Sequence, residues 1–287
     1  MKKLNWDLLQ MTKHNQHGGY GTQSARRHIL DLIARQLEAL GFKNMRSTSL
    51  KPHHVAALVA LWQRQGLSVG TIKNRMSQLR WWAERIGNPS LVPRNNKALG
   101  IPDRRYVSNE NKGQTLDSRL GAVKDLRLRL SLELQEGFGL RREEALKFRP
   151  SFSDRGDRLV LKPSTTKGGR GRTIPIRTEA QRELLNRAHA LAGKESLIPA
   201  DVKYARQMGR YERATTKAKL FKMHGLRHGY AQRLYQALTG WPAPSAGGPT
   251  RRELTPAQRV LDRAARLQIS QELGHGRAQI SANYLGR

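Results

Sequence analysis

The sequence predicts a mainly α-helical protein with one small antiparallel sheet, divided into two domains. The chain has 287 residues, more than a single domain usually contains, so each of two domains can bury its own core. Apolar residues recur at helical spacing over most of its length, and only residues 158–162 and 173–176 have the composition of strands. Residues 88–115 are rich in proline, glycine and asparagine, which predicts a linker between the domains.

The N-terminal region predicts a small helical domain. Residues 1–21 are polar and are expected to form a flexible tail. Helical spacing runs from residue 22 to a stop at residue 41, and a second helix begins at Pro52. Ser68 stands where it can cap a third helix that ends near residue 86. Residues 22–87 therefore predict a helical bundle.

The larger domain is expected over residues 116–287. Its two short strands are joined by a glycine- and arginine-rich loop and predict an antiparallel ribbon. Residues 240–250 contain several prolines and glycines and predict a loop, which looks like an insertion between helices. The helical segments lie at about residues 120–136, near 140, at 178–192, 201–219, 224–238 and 256–273, and in a last piece ending at Tyr284.

Charge is the strongest feature of the composition. The chain carries 53 lysines and arginines against 22 acidic residues, a formal net charge of +31. An excess of this size indicates a polyanionic partner, and nucleic acid is the usual one, although a merely soluble basic protein is the alternative. Arginine outnumbers lysine, and a guanidinium can hold a phosphate through two parallel hydrogen bonds.

The residue types also restrict the chemistry and the compartment. The chain has no cysteine, which excludes a disulfide framework, thiol catalysis and a cysteine-based zinc site, and no cofactor or metal is predicted. No apolar run is long enough to span a membrane, and polar residues interrupt the start of the chain where a signal peptide would be apolar. The prediction is a cytoplasmic protein associated with the nucleoid.

The third helix of the N-terminal domain is a candidate DNA-binding element. Lys73, Arg75 and Arg80 lie around an apolar stripe, so a basic face could follow a DNA groove. A solvated charged face is the alternative. Arg170 and Arg172, in the loop and second strand of the ribbon, are further candidates for contact with DNA.

Four short motifs in the second domain occur in a fixed order. In the first, Arg141 precedes Glu144 by three residues at the start of a helix, so the two side chains share one side. In the second, Lys167 begins the glycine-rich loop of the ribbon, where the backbone can approach a polyanion closely. An ordinary charged helix start and a solvated turn are the alternatives for these two motifs.

The third and fourth motifs contain histidines. His224 and Arg227 form a His-x-x-Arg pattern, which occurs by chance about once in a chain of this composition. His275 stands in a Leu-Gly-His-Gly break between two helices, and Tyr284 follows it by nine positions. Each pattern is weak alone, and the order of all four is the informative observation.

This ordered set resembles the tyrosine recombinase (phage integrase) family. In that family a Gly-Leu-Arg turn with a following glutamate, a hairpin lysine, a His-x-x-Arg pair, a Leu-Gly-His and a tyrosine nine residues later occur in this order. The motifs cover about residues 106–287, and the N-terminal helical domain matches the family's core-binding domain in architecture and position. The positions carried over are Arg141, Glu144, Lys167, His224, Arg227, His275 and Tyr284.

The resemblance implies a covalent attack on DNA. Tyr284 would attack a phosphodiester, while Arg141, Arg227 and His275 would stabilise the negative charge on the nonbridging oxygens. A free tyrosine phenol has a pKa near 10 and needs assistance as a nucleophile, for which His224 is the candidate base. Lys167 would protonate the 5′ oxygen that leaves.

The implied product is a 3′-phosphotyrosine that a second DNA 5′-hydroxyl can reverse without ATP, so the expected function is site-specific DNA recombination. The expected partner is double-stranded DNA with specific sites, bound by a homo-oligomer, a tetramer, that integrates or excises a mobile element. Only residues 285–287 follow Tyr284, fewer than in many members of the family, so other surfaces would make the oligomer contacts or a tail has been lost. The alternatives are relaxation of DNA by a type IB topoisomerase and non-catalytic DNA binding.

Overall fold

The chain folds into two compact units. The structure, a computed structural model, describes residues 2–165, 169 and 171–287. The first unit comprises residues 1–105 and the second residues 106–287. Among the described residues, no helix is both long enough and apolar enough to cross a membrane.

The N-terminal unit is a four-helix bundle. Its core contains Trp62 and Trp82, both with no exposed surface. The indole N–H of Trp62 donates to Gln36 Oε1 at 2.9 Å and that of Trp82 to the Ser47 carbonyl at 2.8 Å, so both buried donors have acceptors. The helices are α1 (Lys3–His14), α2 (Tyr20–Ala39), α3 (Pro52–Arg64) and α4 (Val69–Arg85).

Residues 1–21 are not a flexible tail, because α1 and the start of α2 occupy most of them. Leu4 and Leu8, one helical turn apart, are buried in the core of this unit. Asp7 accepts hydrogen bonds from Arg46 Nε at 2.7 Å and from the Ser47 backbone at 3.0 Å. The two leucines are too few to stand out as a periodic pattern, and the partner of Asp7 lies far away in sequence.

Residues 88–105, predicted as part of the linker, belong to the N-terminal unit. Val92 and Ile101 are buried in its core. The segment between them accepts hydrogen bonds from Arg80, whose Nη2 lies 2.8 Å from the Pro93 carbonyl and 2.6 Å from Asn96 Oδ1. Prolines and asparagines here shape a folded segment and not only a connection.

These contacts correct the prediction of a basic DNA-facing surface on α4. Arg80 holds the 93–96 segment, and the guanidinium of Arg75 lies 5.3 Å from the ring of Trp62 and is half-buried. Lys73 is also half-buried, 3.4 Å from Asp103 Oδ1. Arg80 therefore stabilises this unit, and Lys73 and Arg75 remain proposed DNA contacts on the helix.

The C-terminal unit is helical with one two-stranded antiparallel sheet, and the predicted fold class is confirmed. Strands β1 (Arg158–Leu161) and β2 (Arg172–Pro175) pair with Leu159 opposite Ile174, and both of these side chains enter the core. Helix α10 lies at the centre of the unit and packs on α5 and α11. The helices are α5 (Leu126–Phe138), α6 (Arg142–Leu146), α7 (Pro150–Ser153), α8 (Glu179–Ala192), α9 (Tyr204–Lys217), α10 (Gly225–Thr239), α11 (Pro256–Glu272) and α12 (Ala282–Leu285).

Candidate active site

The turn between α5 and α6 delivers Arg141. Gly139 ends α5 with φ +60°, and a Cβ atom there would lie 2.5 Å from the Tyr230 ring, so both the backbone angle and the space require glycine. Arg141 is the N-cap residue of α6, and Glu144 Oε2 accepts a hydrogen bond from its backbone N–H at 2.8 Å. The carboxylate of Glu144 thus fixes the start of the short helix that carries the arginine.

Arg227 lies at the centre of the site, one turn into α10, with no exposed surface. Its Nη1 donates to the Gly139 carbonyl, its Nη2 donates to the Leu273 carbonyl, and its Nε donates to the hydroxyl of Tyr284 at 3.3 Å. The guanidinium therefore joins the turn before α6, the end of α11 and the C-terminal tyrosine.

The Leu273-Gly274-His275 turn ends α11 on the same side of the site. The Leu273 carbonyl also accepts from Arg141 Nη2 at 3.2 Å, so two guanidiniums converge on one oxygen. Gly274 has φ +66°, which redirects the chain and brings His275 toward Arg227, with Nε2 and Nη2 3.5 Å apart.

Tyr284 lies on α12 against this group, and 7% of its surface is exposed. Its hydroxyl is 3.2 Å from His275 Nε2 as well as 3.3 Å from Arg227 Nε. Its ring centroid is 4.6 Å from that of His228 and 6.1 Å from that of His224. The structure thus brings together Arg141, His224, Arg227, His275 and Tyr284, which come from four separate parts of the chain.

The surroundings favour neutral histidines. Burial and the charges of Arg227, Arg141 and Arg172 lower the pKa of His275 to about 4. Burial and the neighbouring charges, led by His224, lower the pKa of His228 to about 4. Desolvation and two nearby arginines also lower the pKa of His224, although this side chain keeps exposed surface. Near neutral pH these rings are uncharged and each can accept one hydrogen bond, while the arginines stay charged.

Behind Arg141, Glu144 and Arg172 form a buried ion pair. Arg172 donates from Nη1 to Oε1 at 2.9 Å and from Nη2 to Oε2 at 2.6 Å. Burial alone would raise the pKa of Glu144, but the hydrogen bonds and charge of Arg172, together with Arg141, lower it to about 2. The prediction that Arg172 contacts DNA is therefore wrong for this structure, because its side chain is buried and its two terminal nitrogens are both paired.

Replacing Glu144 by glutamine is expected to destabilise the C-terminal unit by about 3 kcal/mol at neutral pH, because it leaves a buried guanidinium without its carboxylate. The folded pKa is below the ordinary value of 4.5, so the carboxylate's contribution is present above about pH 4.5 and is lost as the pH falls toward about 2. Urea unfolding of both proteins at a series of pH values measures this. A difference that does not shrink on acidification would contradict the assignment.

Two predicted site residues, Lys167 and Arg170, lie outside the described residues. Within the part of the chain that the structure does describe, no group of three or more histidine, aspartate or glutamate side chains is placed to hold a metal ion.

The structure adds His228, Gln232 and Ser245 to the residues in contact with Tyr284. His228 follows His224 by four positions in a helix, so the spacing alone could have placed both on one face. Gln232 continues that face by one further turn. Ser245 belongs to the predicted 240–250 loop, and no local pattern marks it as a neighbour of Tyr284.

Comparisons with known proteins agree with this geometry. The family model described as "Phage integrase, N-terminal" matches residues 1–92, and the model described as "Integrase" matches residues 103–233. No curated protein sequence matches the chain.

Solved structures share the fold over nearly the whole chain. The Tn1549 transposon integrase in complex with circular intermediate DNA superimposes with a TM-score of 0.56 at 15% identity, covering 100% of this chain and 96% of that one. XerH site-specific recombinase bound to a palindromic difH substrate gives 0.60 at 16% identity, covering 99% and 81%. A lambda integrase tetramer bound to a Holliday junction gives 0.61 at 15% identity, covering 98% and 77%.

Both parts of the chain therefore match integrase models, and its fold is that of solved tyrosine recombinases. The chain belongs to the phage integrase family of tyrosine recombinases, enzymes that cleave and rejoin DNA.

Proposed function

We propose that Tyr284 attacks a DNA phosphodiester and forms a covalent 3′-phosphotyrosine. The bond from the phenol oxygen to phosphorus forms as the bond from phosphorus to the 5′ oxygen breaks. The observation that carries the proposal is the position of the Tyr284 hydroxyl, 3.2 Å from His275 Nε2 and 3.3 Å from Arg227 Nε. Attack by a second DNA 5′-hydroxyl reverses the step with a new partner and releases the tyrosine.

Arg141 and Arg227 provide the positive charge that the transition state requires. They converge on the Leu273 carbonyl, and Arg227 is fixed by three acceptors, so little reorganisation is needed when a phosphate arrives. Glu144 and Arg172 hold the start of α6 and support Arg141 from behind. Lys167, outside the described residues, is retained as the proposed acid for the leaving 5′ oxygen.

His275 is better placed than His224 to accept the phenol proton. Arg227 Nε is a donor only, so the phenol oxygen accepts from it and the O–H is free to donate to His275 Nε2. A lowered pKa keeps the His275 ring neutral at neutral pH, and Arg227 Nη2, a donor 3.5 Å from Nε2, favours the tautomer in which Nε2 carries no proton. The ring of His224 is centred 6.1 Å from the tyrosine ring, which suits it better to a contact with the phosphate.

This assignment predicts a flat pH profile for cleavage. Because the pKa of His275 is about 4, the rate of adduct formation is expected to change by less than about twofold between about pH 5.5 and 7.5. With a base of the ordinary histidine pKa of about 6.5, the rate of adduct formation would instead be about tenfold lower at pH 5.5 than at pH 7.5. Single-turnover rates at saturating DNA measure the profile. The variant His224→Asn should keep this flat profile, and a midpoint inside the measured pH range that disappears in this variant would assign the base to His224.

A trapping experiment tests the function itself. Duplexes that bind the full chain are first enriched from a random pool and then nicked near the centre; we call them trapping duplexes. Because of the nick, cleavage releases a short strand that diffuses away, so the covalent adduct accumulates. We expect an adduct that survives denaturation and maps to Tyr284 by mass spectrometry. Exchange between two intact duplexes that carry the trapped sequence would then demonstrate recombination, whereas relaxation of supercoils without exchange would favour a topoisomerase.

We further propose that several protomers, a tetramer, act on two duplexes, and that the reaction integrates or excises a mobile element. Support comes from the relatives, which include a transposon integrase bound to circular intermediate DNA and a lambda integrase tetramer on a Holliday junction. Sizing of the complex with the trapped sequence tests the stoichiometry. Sequencing of DNA joined by the enzyme tests whether the two sites flank a mobile element.

DNA affinity is expected to fall steeply with salt, because the net charge of +31 leads to release of counterions from the phosphates. Each neutralised phosphate contributes about −0.9 to the slope of log affinity against log salt, and a contact with six or more phosphates gives a slope below about −5. Fluorescence anisotropy with a random duplex at several salt concentrations measures this. A slope near zero would contradict an electrostatic contact.

A further inference from the structure

The main chain at Tyr284 is anchored by side chains from other segments. Ser245 Oγ donates to the Tyr284 carbonyl at 3.1 Å, and Gln232 Nε2 donates to the same oxygen at 3.3 Å. Helix α12 has four residues, a single turn, which has little stability of its own in water. Its position therefore depends on these external hydrogen bonds and on burial of Leu285.

The anchoring continues beyond the tyrosine. Arg266 Nη1 donates to the Gly286 carbonyl at 3.0 Å, and Asn109 Oδ1 accepts from the Arg287 N–H at 3.0 Å. Gly286 has φ +77° and ψ −173°, a conformation that glycine adopts readily and other residues do not. A Cβ atom there would lie 2.8 Å from the Ser245 backbone nitrogen and 3.0 Å from Asn109 Oδ1.

Ser245 is itself held firmly by the 240–250 loop. The loop folds on Ala243, which is fully buried and whose carbonyl accepts from the N–H groups of Ala246 at 2.8 Å and Gly248 at 3.0 Å. A Cβ atom on Gly248 would lie 1.8 Å from the Pro242 carbonyl oxygen, so the loop closes only with glycine at this position. Ser245 has 6% of its surface exposed, and its hydroxyl also accepts from Gln232 Nε2 at 3.2 Å.

We propose that the 240–250 loop positions the nucleophile: Ser245, with Gln232 and the Gly286 turn, sets where the Tyr284 phenol lies relative to Arg227 and His275. This inference rests on the proposed role of Tyr284. A shift of the α12 main chain moves the phenol by a similar distance, and a misplacement of about 1 Å at a reacting atom can reduce a rate about 100-fold. The hydrogen bond from the loop reaches the main chain of the nucleophile and not its reacting atom, so Ser245 and Gly286 are positioning residues.

Two variants test the proposal with trapping duplexes. Gly286→Ala is expected to slow adduct formation at saturating DNA about 100-fold, because its Cβ atom pushes the turn away from Ser245. Ser245→Ala is expected to slow it about threefold to tenfold, since the Tyr284 carbonyl keeps one of its two donors. Ser245→Thr retains the hydroxyl and should restore most of the rate. DNA affinity should stay within about twofold of the parent chain in all three, because no contact with DNA is altered.

Gly193→Ala is the matched control. Gly193, which follows α8 in the same unit and lies outside the 240–250 loop, also has a positive φ, +54°, but a Cβ atom there meets nothing within 4 Å. Its strain should lower thermal stability without changing the rate of adduct formation. Loss of adduct in both glycine variants in parallel with their melting temperatures would overturn the proposal in favour of general destabilisation.

A substrate with sulfur at the bridging 5′ position separates the two halves of the reaction. Sulfur leaves without a proton, so a defect in the leaving-group acid disappears on this substrate, whereas a misplaced nucleophile stays slow. We expect the defect of Gly286→Ala to persist, and its recovery would contradict the positioning role. If the parent chain forms adduct through Tyr284 and both Gly286→Ala and Ser245→Ala match its rate, the positioning role fails while the proposed function stands. If the parent chain forms no adduct at Tyr284, the proposed function fails first.

Discussion

Tyr284→Phe is expected to reduce covalent adduct formation by at least about 10⁴-fold, because it removes the only oxygen of this side chain that can attack phosphorus. The same change should not weaken DNA binding. In the DNA-free chain the phenol oxygen occupies the Nε donor of Arg227, and its removal leaves that donor available to a phosphate oxygen. The trapping duplexes measure the adduct, and fluorescence anisotropy on the same duplexes measures affinity.

Tyr20→Phe provides the control, because Tyr20 is 92% exposed and lies in the other unit. It removes the same atom and should leave adduct formation unchanged. If Tyr284→Phe still forms an adduct and that adduct maps to another tyrosine, the assignment of Tyr284 as the nucleophile is contradicted.

Arg227→Ala is expected to have the second largest effect, on both chemistry and stability. Loss of a fixed donor at the developing charge costs about 10²- to 10³-fold in the rate of adduct formation. The buried carbonyls of Gly139 and Leu273 also lose a donor each, which is expected to lower the free energy of unfolding by about 3 kcal/mol. Single-turnover cleavage below the melting temperature of the variant, together with urea unfolding, separates the two effects.

Arg227→Lys distinguishes charge from geometry. A lysine keeps the positive charge but cannot reach three acceptors in one plane as the guanidinium does, so the rate should still fall about 100-fold. Arg206→Ala, on the exposed surface of α9, removes the same charge as Arg227→Ala and should change neither the rate nor the stability measurably. A fully active Arg227→Lys would show that charge alone is required.

The role of Glu144 illustrates how local sequence can predict one half of an interaction. Its position three residues after Arg141 predicts that the two share a side of a helix start, and the structure has that pair at 2.7 Å. The second partner, Arg172, lies 28 positions away on a strand and was interpreted as a DNA contact. A strand residue next to a glycine- and arginine-rich loop looks solvent-exposed in sequence, and only packing of β2 against α11 buries it.

The proposed base illustrates the same limit of local sequence. The His-x-x-Arg pattern drew attention to His224, while His275 lies closer to the phenol because the turn after α11 folds back over Arg227. Both histidines were predicted as site residues from their motifs. Their relative distances to Tyr284 depend on how α10, α11 and α12 pack, which motif spacing does not encode.

By itself, the sequence determined the fold class, the family and the basic character of the protein, because helical periodicity, the order of four motifs and net charge are local or additive properties. The tertiary structure decided which basic side chains of the described residues face inward, that residues 3–14 form a helix, and that the 240–250 loop supports the main chain of Tyr284. The physical reason is that each of these outcomes depends on hydrogen-bond partners and buried surfaces supplied by segments far apart in the chain. The spacing of the motifs thus predicts which tyrosine is the nucleophile, whereas the proposed position of its phenol depends on a loop that contains no motif.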